Sequence, residues 1–330
     1  MTYVFLGTVL TLAGFLAANL ALTLAVAALA GPLARSAWLE RPRRRARLLY
    51  GLRVLPTVAA ALFSLGVVLP AYLLFEPRGT AERPGFVLLG LTAGALVLIG
   101  SGIARGLASF IVTSRVMRKW MRGAQRVGLG GVAAPAYRVS DPCAAVSLVG
   151  TWRPKIFLSG EILSALSREE AAVAVAHEAA HLRFRDNLKR WALRFSPDVL
   201  RWLPAGRRLE REWTAAAETL ADASAAQGDR GRALHLSAAL LKVARVAPGR
   251  RPLAFAASAL QGGPEFAERI RRLVDGRLAL EKLEKRDRMG PALALAGLCG
   301  AVVWGCLVLF APEVFAGVHQ AAETVVAALR

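Results

Sequence analysis

Cysteine is scarce in this chain of 330 residues, which contains only Cys143, Cys299 and Cys306. None of them belongs to a CxxC pair, so the sequence indicates neither a disulfide framework nor a cysteine-based zinc finger. Cys143 is interpreted as a small strand residue, and the other two as packing residues of an apolar helix. Any metal site must therefore be built from other side chains.

Acidic residues are also few, since 23 Asp and Glu stand against 43 Lys and Arg and give a formal net charge of +20. Such an excess can indicate nucleic-acid binding, but no recognition helix, zinc finger or aromatic RNA-binding pattern accompanies it. The basic residues instead flank apolar runs, where anionic lipid attracts each of them by about 1 kcal/mol. The charge therefore favours a lipid bilayer as partner and no direct contact with nucleic acid.

Apolar residues are abundant, at 55% of the chain with a mean hydropathy of +0.43. This composition is too apolar for an ordinary soluble domain. A bilayer core of about 30 Å needs some 20 apolar residues per helix. Four runs are long enough to be transmembrane helices: about residues 3–33, 55–75, 86–104 and 291–310. The first run is not interpreted as a cleaved signal peptide, because MTYVFLG lacks a basic start and the run is too long.

The distribution of arginine predicts how these helices are oriented. Arginines crowd the connection after the first run, from Arg35 to Arg53, whereas the connection from Glu76 to Gly85 has balanced charges. By the positive-inside rule the first connection is cytoplasmic and the second is outside. Basic residues also follow the third run and precede the fourth. We therefore expect a multi-pass protein of the inner (cytoplasmic) membrane, with its N-terminus outside.

The same argument divides the chain into three parts. Residues 1–122 form a membrane region with three transmembrane helices, and residues 123–288 form a cytoplasmic domain. Residues 289–330 hold the fourth transmembrane helix and a short tail outside.

One predicted helix carries the chemistry. Residues 167–185 have the sequence SREEAAVAVAHEAAHLRFR, in which Ser167 to Glu170 is a capping box that begins the helix. His177 and His181 are four residues apart, so they project from one face and can reach the same metal ion. Glu178 lies beside that ion and can take a proton from a bound water. This HExxH spacing is typical of zinc metallopeptidases.

Zinc chemistry also requires a third protein ligand and an open position. Glu218 and Asp222 are four apart in a second helical stretch, about residues 209–226. Glu218 can complete a His, His, Glu ligand set, and Asp222 can accept the other ring N–H of a ligand histidine. Alone, this pair would more simply be a solvated helix face, but the preceding HExxH favours the metal site. Asp186 is expected to fix the end of the first helix through local hydrogen bonds.

Short strands are predicted before the first helix, at residues 136–140, 143–149 and 155–158. An edge strand beside a zinc site can bind an extended substrate through backbone hydrogen bonds, and we predict that Ala145 to Gly150 has this role. The expected fold is mainly α, α+β: a polytopic membrane protein with four transmembrane helices and a zincin-like domain that contains a small β-sheet.

These segments resemble motifs of the BlaR/MecR-type membrane zinc metallopeptidases. His177 to Asn187 is similar to the family's HExxHxxRRD run, and Glu218 to Asp222 to its ExxCD motif, with Ala221 in place of the frequent cysteine. Leu148 to Leu158 resembles its G-x-x-x-P strand pair, and Glu268 to Leu273 its ExRIxxLL element. The resemblance implies zinc, peptide hydrolysis at the cytoplasmic face, and a transcriptional repressor as a possible class of substrate.

Two departures bear on function. The family's beta-lactam sensors carry a penicillin-binding domain after their last span, whereas this sequence ends at Arg330, so we expect no direct recognition of antibiotic. HtpX-type proteases generally have transmembrane helices between HExxH and the third ligand. Here residues 188–206 are too short and too charged for a span, so that resemblance is weaker.

Three functions stay open at this point. The first is regulatory proteolysis of a repressor or a membrane-associated protein, and the second is quality control of membrane proteins. The third is a membrane signal transducer or scaffold without turnover, which the intact set of four zinc-site residues disfavours. His235 is given a structural or surface role rather than contact with an oxyanion, and His319, for which the sequence offers no partner, is given none.

Overall fold

The computed structural model describes residues 2–34, 42–78, 84–129, 132–246, 264–275 and 312–328. These residues are mainly helical, with one small sheet. The helices are α1 (Thr2–Ala34), α2 (Pro42–Phe63), α3 (Leu69–Phe75), α4 (Phe86–Met121), α5 (Gly160–Ala165), α6 (Arg168–Phe184), α7 (Asp186–Phe195), α8 (Pro204–Ala226), α9 (Arg230–Val246), α10 (Pro264–Val274) and α11 (Pro312–Ala328). The strands are β1 (Gln125–Val127), β2 (Ala136–Val139), β3 (Val146–Val149) and β4 (Lys155–Ser159).

Three helical stretches are long and apolar enough to cross a membrane: Tyr3–Gly31, Pro42–Phe75 and Phe86–Met121. The second combines α2 and α3, which a π-helical turn at Ser64–Val68 joins without a break. Three predicted apolar runs thus correspond to such helices. The fourth, residues 291–310, lies outside the described residues.

Two of these helices are longer than the hydropathy pattern predicts. The second stretch begins at Pro42 rather than about residue 55, and α4 continues to Met121 rather than ending near residue 104. Hydropathy measures contact with lipid, whereas a helix ends where the backbone leaves helical angles. That point follows α4 at Gly123, which has a φ of +77°.

The last two residues of α7 and the chain between α7 and α8 lie among the three long apolar helical stretches. We call residues 194–203 the inserted segment. Its backbone contacts α1 through Asn19, whose side chain donates to the carbonyl of Pro197 and accepts from the N–H of Val199, both at 3.3 Å. Non-helical backbone needs such partners wherever lipid keeps water away.

Two other membrane helices complete these bonds. Arg105 of α4 donates to the carbonyls of Arg194 at 3.3 Å and Ser196 at 3.1 Å. Thr57 of α2 lies 2.7 Å from the Ser196 hydroxyl. Each of the three long helical stretches thus binds the inserted segment through a polar side chain.

A buried ion pair joins α2 to the same segment. Arg53 Nη1 lies 2.8 Å from Asp198 Oδ2, and both side chains are completely buried. Arg53 belongs to the stretch that was predicted as a basic cytoplasmic connection, but it lies inside a helix and carries a structural contact. Breaking such a pair by removing one partner typically costs about 3–5 kcal/mol, because the other charge stays buried.

One apolar cluster spans the membrane helices and the helices that follow the first metal-binding motif. It contains Trp213 of α8, which is completely buried beside Leu49 of α2. The other buried members are Val26, Ala30, Ala46, Leu193, Leu200, Leu209 and Ala216. Because α1, α2, α7 and α8 share this core, the position of α8 depends on the membrane helices.

The sheet has the strand order β1-β2-β4-β3, with β2 and β4 parallel and the other pairs antiparallel. The strand predicted at residues 143–149 is shorter, because Asp141 accepts a hydrogen bond from the N–H of Cys143 and caps a 3₁₀ turn at Pro142–Ala144. The remaining strand, β3, lies at the edge of the sheet, as the sequence predicts.

Gly102 of α4 permits close packing of the inserted segment, since a Cβ added there would lie 2.5 Å from the Phe195 carbonyl oxygen. We expect Gly102→Ala to lower the free energy of unfolding by about 1–3 kcal/mol, because the helix and the segment must separate. Gly100→Ala on the same helix is the control, since its added Cβ meets nothing within 4 Å. Thermal unfolding in detergent checks both; an equal effect of the two variants contradicts the close contact.

Candidate metal centre

Three side chains from α6 and α8 converge on one point. His177 Nε2 and His181 Nε2 are 3.2 Å apart. The two Glu218 oxygens lie 3.5 Å from His177 Nε2 and 3.6 Å from His181 Nε2. Ligands placed about 2.0–2.1 Å from an ion at tetrahedral corners would be about 3.3–3.4 Å apart. The spacing of these three groups therefore suits a single small cation.

A carboxylate holds the outer nitrogen of each histidine. Asp222 Oδ1 lies 3.0 Å from His177 Nδ1, in the role that the sequence predicts for this residue. Asp186 Oδ2 lies 2.8 Å from His181 Nδ1, which differs from the predicted local role at the helix end. Such carboxylates fix the ring tautomer and direct the inner nitrogen Nε2 towards the metal position, where Arg269 Nη2 lies 3.3 Å from His177 Nε2.

The turn between α6 and α7 explains the position of Asp186. Arg185 ends α6 in the left-handed conformation, with φ 55° and ψ 38°. The chain therefore turns at once, and α7 begins at Asp186 close enough to the preceding helical turn to reach His181. Helix periodicity in the sequence does not predict this turn, because the turn depends on the backbone conformation of the single residue Arg185.

Buried opposite charges set the protonation of these groups. Burial lowers the pKa of His181, but the charge of Glu218 and the hydrogen bond with Asp186 outweigh it and raise the pKa to about 10. Burial raises the pKa of Glu218, yet the neighbouring His181 and His177 hold it well below its usual value. Glu218 is therefore ionised, and a cation must displace protons from the histidines when it binds.

Two arginines also contact Glu218, and sequence reasoning gave neither of them a role. Arg190 Nη2 of α7 lies 3.2 Å from Glu218 Oε1, and Arg269 Nη1 of α10 lies 3.2 Å from Oε2. The buried Arg269 also binds both oxygens of Asp222, at 2.8 and 2.6 Å. Arg269 belongs to the ExRI element, so a sequence motif marked this residue. Spacing along the sequence did not show that its guanidinium contacts Glu218 and Asp222.

The edge strand β3 is fixed against the predicted catalytic residue. Glu178 accepts a hydrogen bond from the N–H of Leu148 at 2.8 Å, and the Asn187 amide donates to the carbonyls of Leu148 at 2.9 Å and Gly150 at 3.1 Å. Leu148 therefore turns its backbone groups away from β4 and towards the metal centre. Because antiparallel pairing alternates, Val146 presents its N–H and carbonyl to the same outer edge.

A cavity begins at the metal centre and extends between α6, α9 and β3. One wall holds the ligand histidines and Glu178, and the opposite wall is apolar. The apolar lining residues include Val146, Ala174, Leu236, Ala239, Leu240 and Val243. Such a cavity can accept an apolar side chain next to the metal, since burial of that chain removes it from water.

The other two histidines lie elsewhere. His235 is exposed on α9 and is not among the residues that line this cavity, which fits its predicted surface role. His319 was given no partner, but its Nε2 lies 3.8 Å from Glu76 and its ring stacks on Phe75. Together, Glu76, His319 and Glu323 form the second group in the described part of the chain that could hold a metal ion.

The carboxylate contact of Asp186 gives a direct test of the metal centre. We expect Asp186→Asn to weaken the binding of a first-row divalent cation by about 10- to 100-fold, because the amide no longer orients His181 or supports its basicity. Equilibrium dialysis of the purified protein measures this. Asp229→Asn is the matched control, since Asp229 is an exposed cap of α9; equal affinities for the two variants would remove Asp186 from the site.

Comparisons with known proteins leave the site to be argued from its geometry. No protein-family model matches the chain, and no curated protein and no solved structure matches it either. The resemblance to the BlaR/MecR-type peptidases therefore stays an expectation of the sequence motifs.

Proposed function

We propose that this protein is a membrane-bound zinc endopeptidase. The observation that carries the proposal is the arrangement of four groups: His177, His181 and Glu218 at distances that suit one ion, and Glu178 of α6 bound to the adjacent edge strand. The donor set of two imidazoles and one carboxylate, with each imidazole held by an aspartate, suits zinc. A set of three protein ligands leaves the fourth position for water or substrate, as in catalytic rather than structural sites.

The three ligands would hold the ion, and zinc bound there supplies Lewis acidity, which polarises a carbonyl and acidifies a water molecule. Glu178 takes the proton of the attacking water and delivers it to the leaving amine. The water oxygen bonds to the carbonyl carbon, the peptide C–N bond breaks, and the products are a carboxylic acid and an amine. The N–H of Leu148 holds the Glu178 carboxylate in position for this transfer.

The substrate binds as an added strand. An extended chain that pairs with the outer edge of β3 uses the N–H and carbonyl of Val146 and runs past Glu178 towards the histidines. One apolar side chain of the substrate enters the cavity between α6 and α9. The substrate class is therefore an unfolded or flexible peptide segment with an apolar residue next to the cleaved bond.

The three apolar helical stretches support membrane association. We propose that the metal centre faces the cytoplasm, as the arginine distribution predicts, and that the biological role is regulatory proteolysis of a repressor or a membrane-associated protein. Quality control of membrane proteins is the alternative role for the same enzyme.

Glu178→Gln tests the proposal. The variant is expected to keep about one zinc per chain and to lose about 10²- to 10⁴-fold in the rate of peptide cleavage, because an amide cannot take the proton. Zinc content and cleavage of a peptide library, in detergent, are measured together. Glu161→Gln is the control, since Glu161 is exposed on α5. Wild type without zinc, or a Glu178→Gln variant as active as wild type, would leave a membrane scaffold or signal transducer in place of the enzyme.

A further inference from the structure

Three aromatic side chains of α7 and the β3–β4 turn form a continuous ridge. We call Trp152, Trp191 and Phe195 the aromatic ridge. The ring centroids of Trp152 and Trp191 are 5.5 Å apart, and those of Trp191 and Phe195 are 5.3 Å apart. Trp152 and Phe195 remain 64% and 41% exposed, so the ridge is an uncovered apolar surface. A contiguous exposed apolar surface is typical of a contact with lipid or with a partner.

One end of the ridge lies at the level of the membrane. Trp191 Nε1 donates to the carbonyl of Gly106 in α4 at 3.1 Å. Large exposed apolar side chains continue along α4 as far as Val112, and the first exposed basic residue after them is Arg115. With a rise of 1.5 Å per residue, Gly106 lies about 9 Å on the lipid side of Val112. Trp191 and Phe195 are therefore at the depth of the lipid or its headgroups, where tryptophan is favoured.

The other end of the ridge lies on α7 and on the β3–β4 turn, two elements that also contact the metal centre. Trp191 follows Arg190, whose guanidinium contacts Glu218, on the same helix. Asp186, the partner of His181, is only five residues before Trp191, which is about 8 Å along the helix axis. Trp152 lies in the turn between β3 and β4, and Asn187 holds that turn through the Gly150 carbonyl. The ridge thus connects the lipid-facing surface of α4 with the open edge of β3.

From this geometry we propose that the substrate is a membrane-anchored protein, which is cut in the extended segment that directly follows its own membrane span. This inference rests on the proposed peptidase function and names its substrate class. This substrate segment leaves the lipid along α4, crosses the aromatic ridge and pairs with β3, so that it stays in contact with the protein along its whole path. An extended chain covers about 3.3 Å per residue, so the cleaved bond lies in the short segment next to the end of the span.

The inserted segment gives this arrangement its rigidity. Phe195 belongs to both the ridge and the segment, and its backbone packs against Gly102 of α4. Arg105 holds the carbonyls on either side of it, at Arg194 and Ser196. The ridge is therefore fixed relative to the membrane helices, which a surface that guides a chain out of the bilayer requires.

The test compares two substrates that share one cleavable sequence, in full-length protein reconstituted into lipid vesicles. In the first the sequence follows a single transmembrane helix after about five residues, and the second is a soluble peptide. We expect Trp152→Ala to lower kcat/KM for the anchored substrate about tenfold relative to its effect on the soluble peptide, since it removes the largest exposed part of the ridge. Wild type and the Trp152→Ala variant meet the same anchored substrate. Anchoring therefore raises the local substrate concentration equally for both, and the comparison does not depend on it.

Two control variants separate the ridge from the fold. Trp202→Ala removes a tryptophan of similar exposure, 54%, that belongs to the inserted segment but not to the ridge, so it controls for an effect on the segment and should leave the ratio of the two rates at the wild-type value. Trp152→Phe keeps an aromatic ring and should restore most of the rate with the anchored substrate. Equal losses on both substrates, or the same loss with Trp202→Ala, would overturn the proposal while leaving the peptidase intact. Wild type that cleaves neither substrate would instead remove the proposed function itself.

Discussion

The structure depends on one constraint, which is that buried backbone polar groups outside regular helices need partners inside the protein. From Ser196 to Leu203 the chain is not α-helical, and α1, α2 and α4 each carry a polar side chain that binds the inserted segment. Asn19, Thr57 and Arg105 supply hydrogen bonds, and Arg53 pairs with Asp198. These polar residues are explained by the segment that they hold rather than by contact with one another.

The same constraint determines the geometry of the metal centre. The inserted segment joins α7, which carries Asp186 and Arg190, to α8, which carries Glu218 and Asp222. Since the segment and α8 share a core with α1 and α2, the position of Glu218 relative to the two histidines is set within the membrane region. Direct packing of α6 against α8 fixes the same distance from the other side.

Within the site, the buried acidic and basic side chains form a connected series of ion pairs. The ligand carboxylate is opposed by Arg190 and Arg269, and Arg269 also neutralises Asp222, which orients His177. Burial alone would disfavour every one of these charges, so the network is stable only as a whole. Glu178 is instead bound to the backbone of β3 through the N–H of Leu148.

The sequence by itself determined what depends on neighbours within one helix. The spacing of His177 and His181, the capping box at Ser167, the pairing of Glu218 with Asp222 and the first three apolar runs follow from local sequence patterns, and the described structure contains them. Only the tertiary structure decided the contact of Asp186 with His181, the burial of Arg53 and the place of Arg269 against Glu218. These contacts join residues through a left-handed turn or across long stretches of chain, and no local period encodes the side chain that will lie on the other side of such a gap.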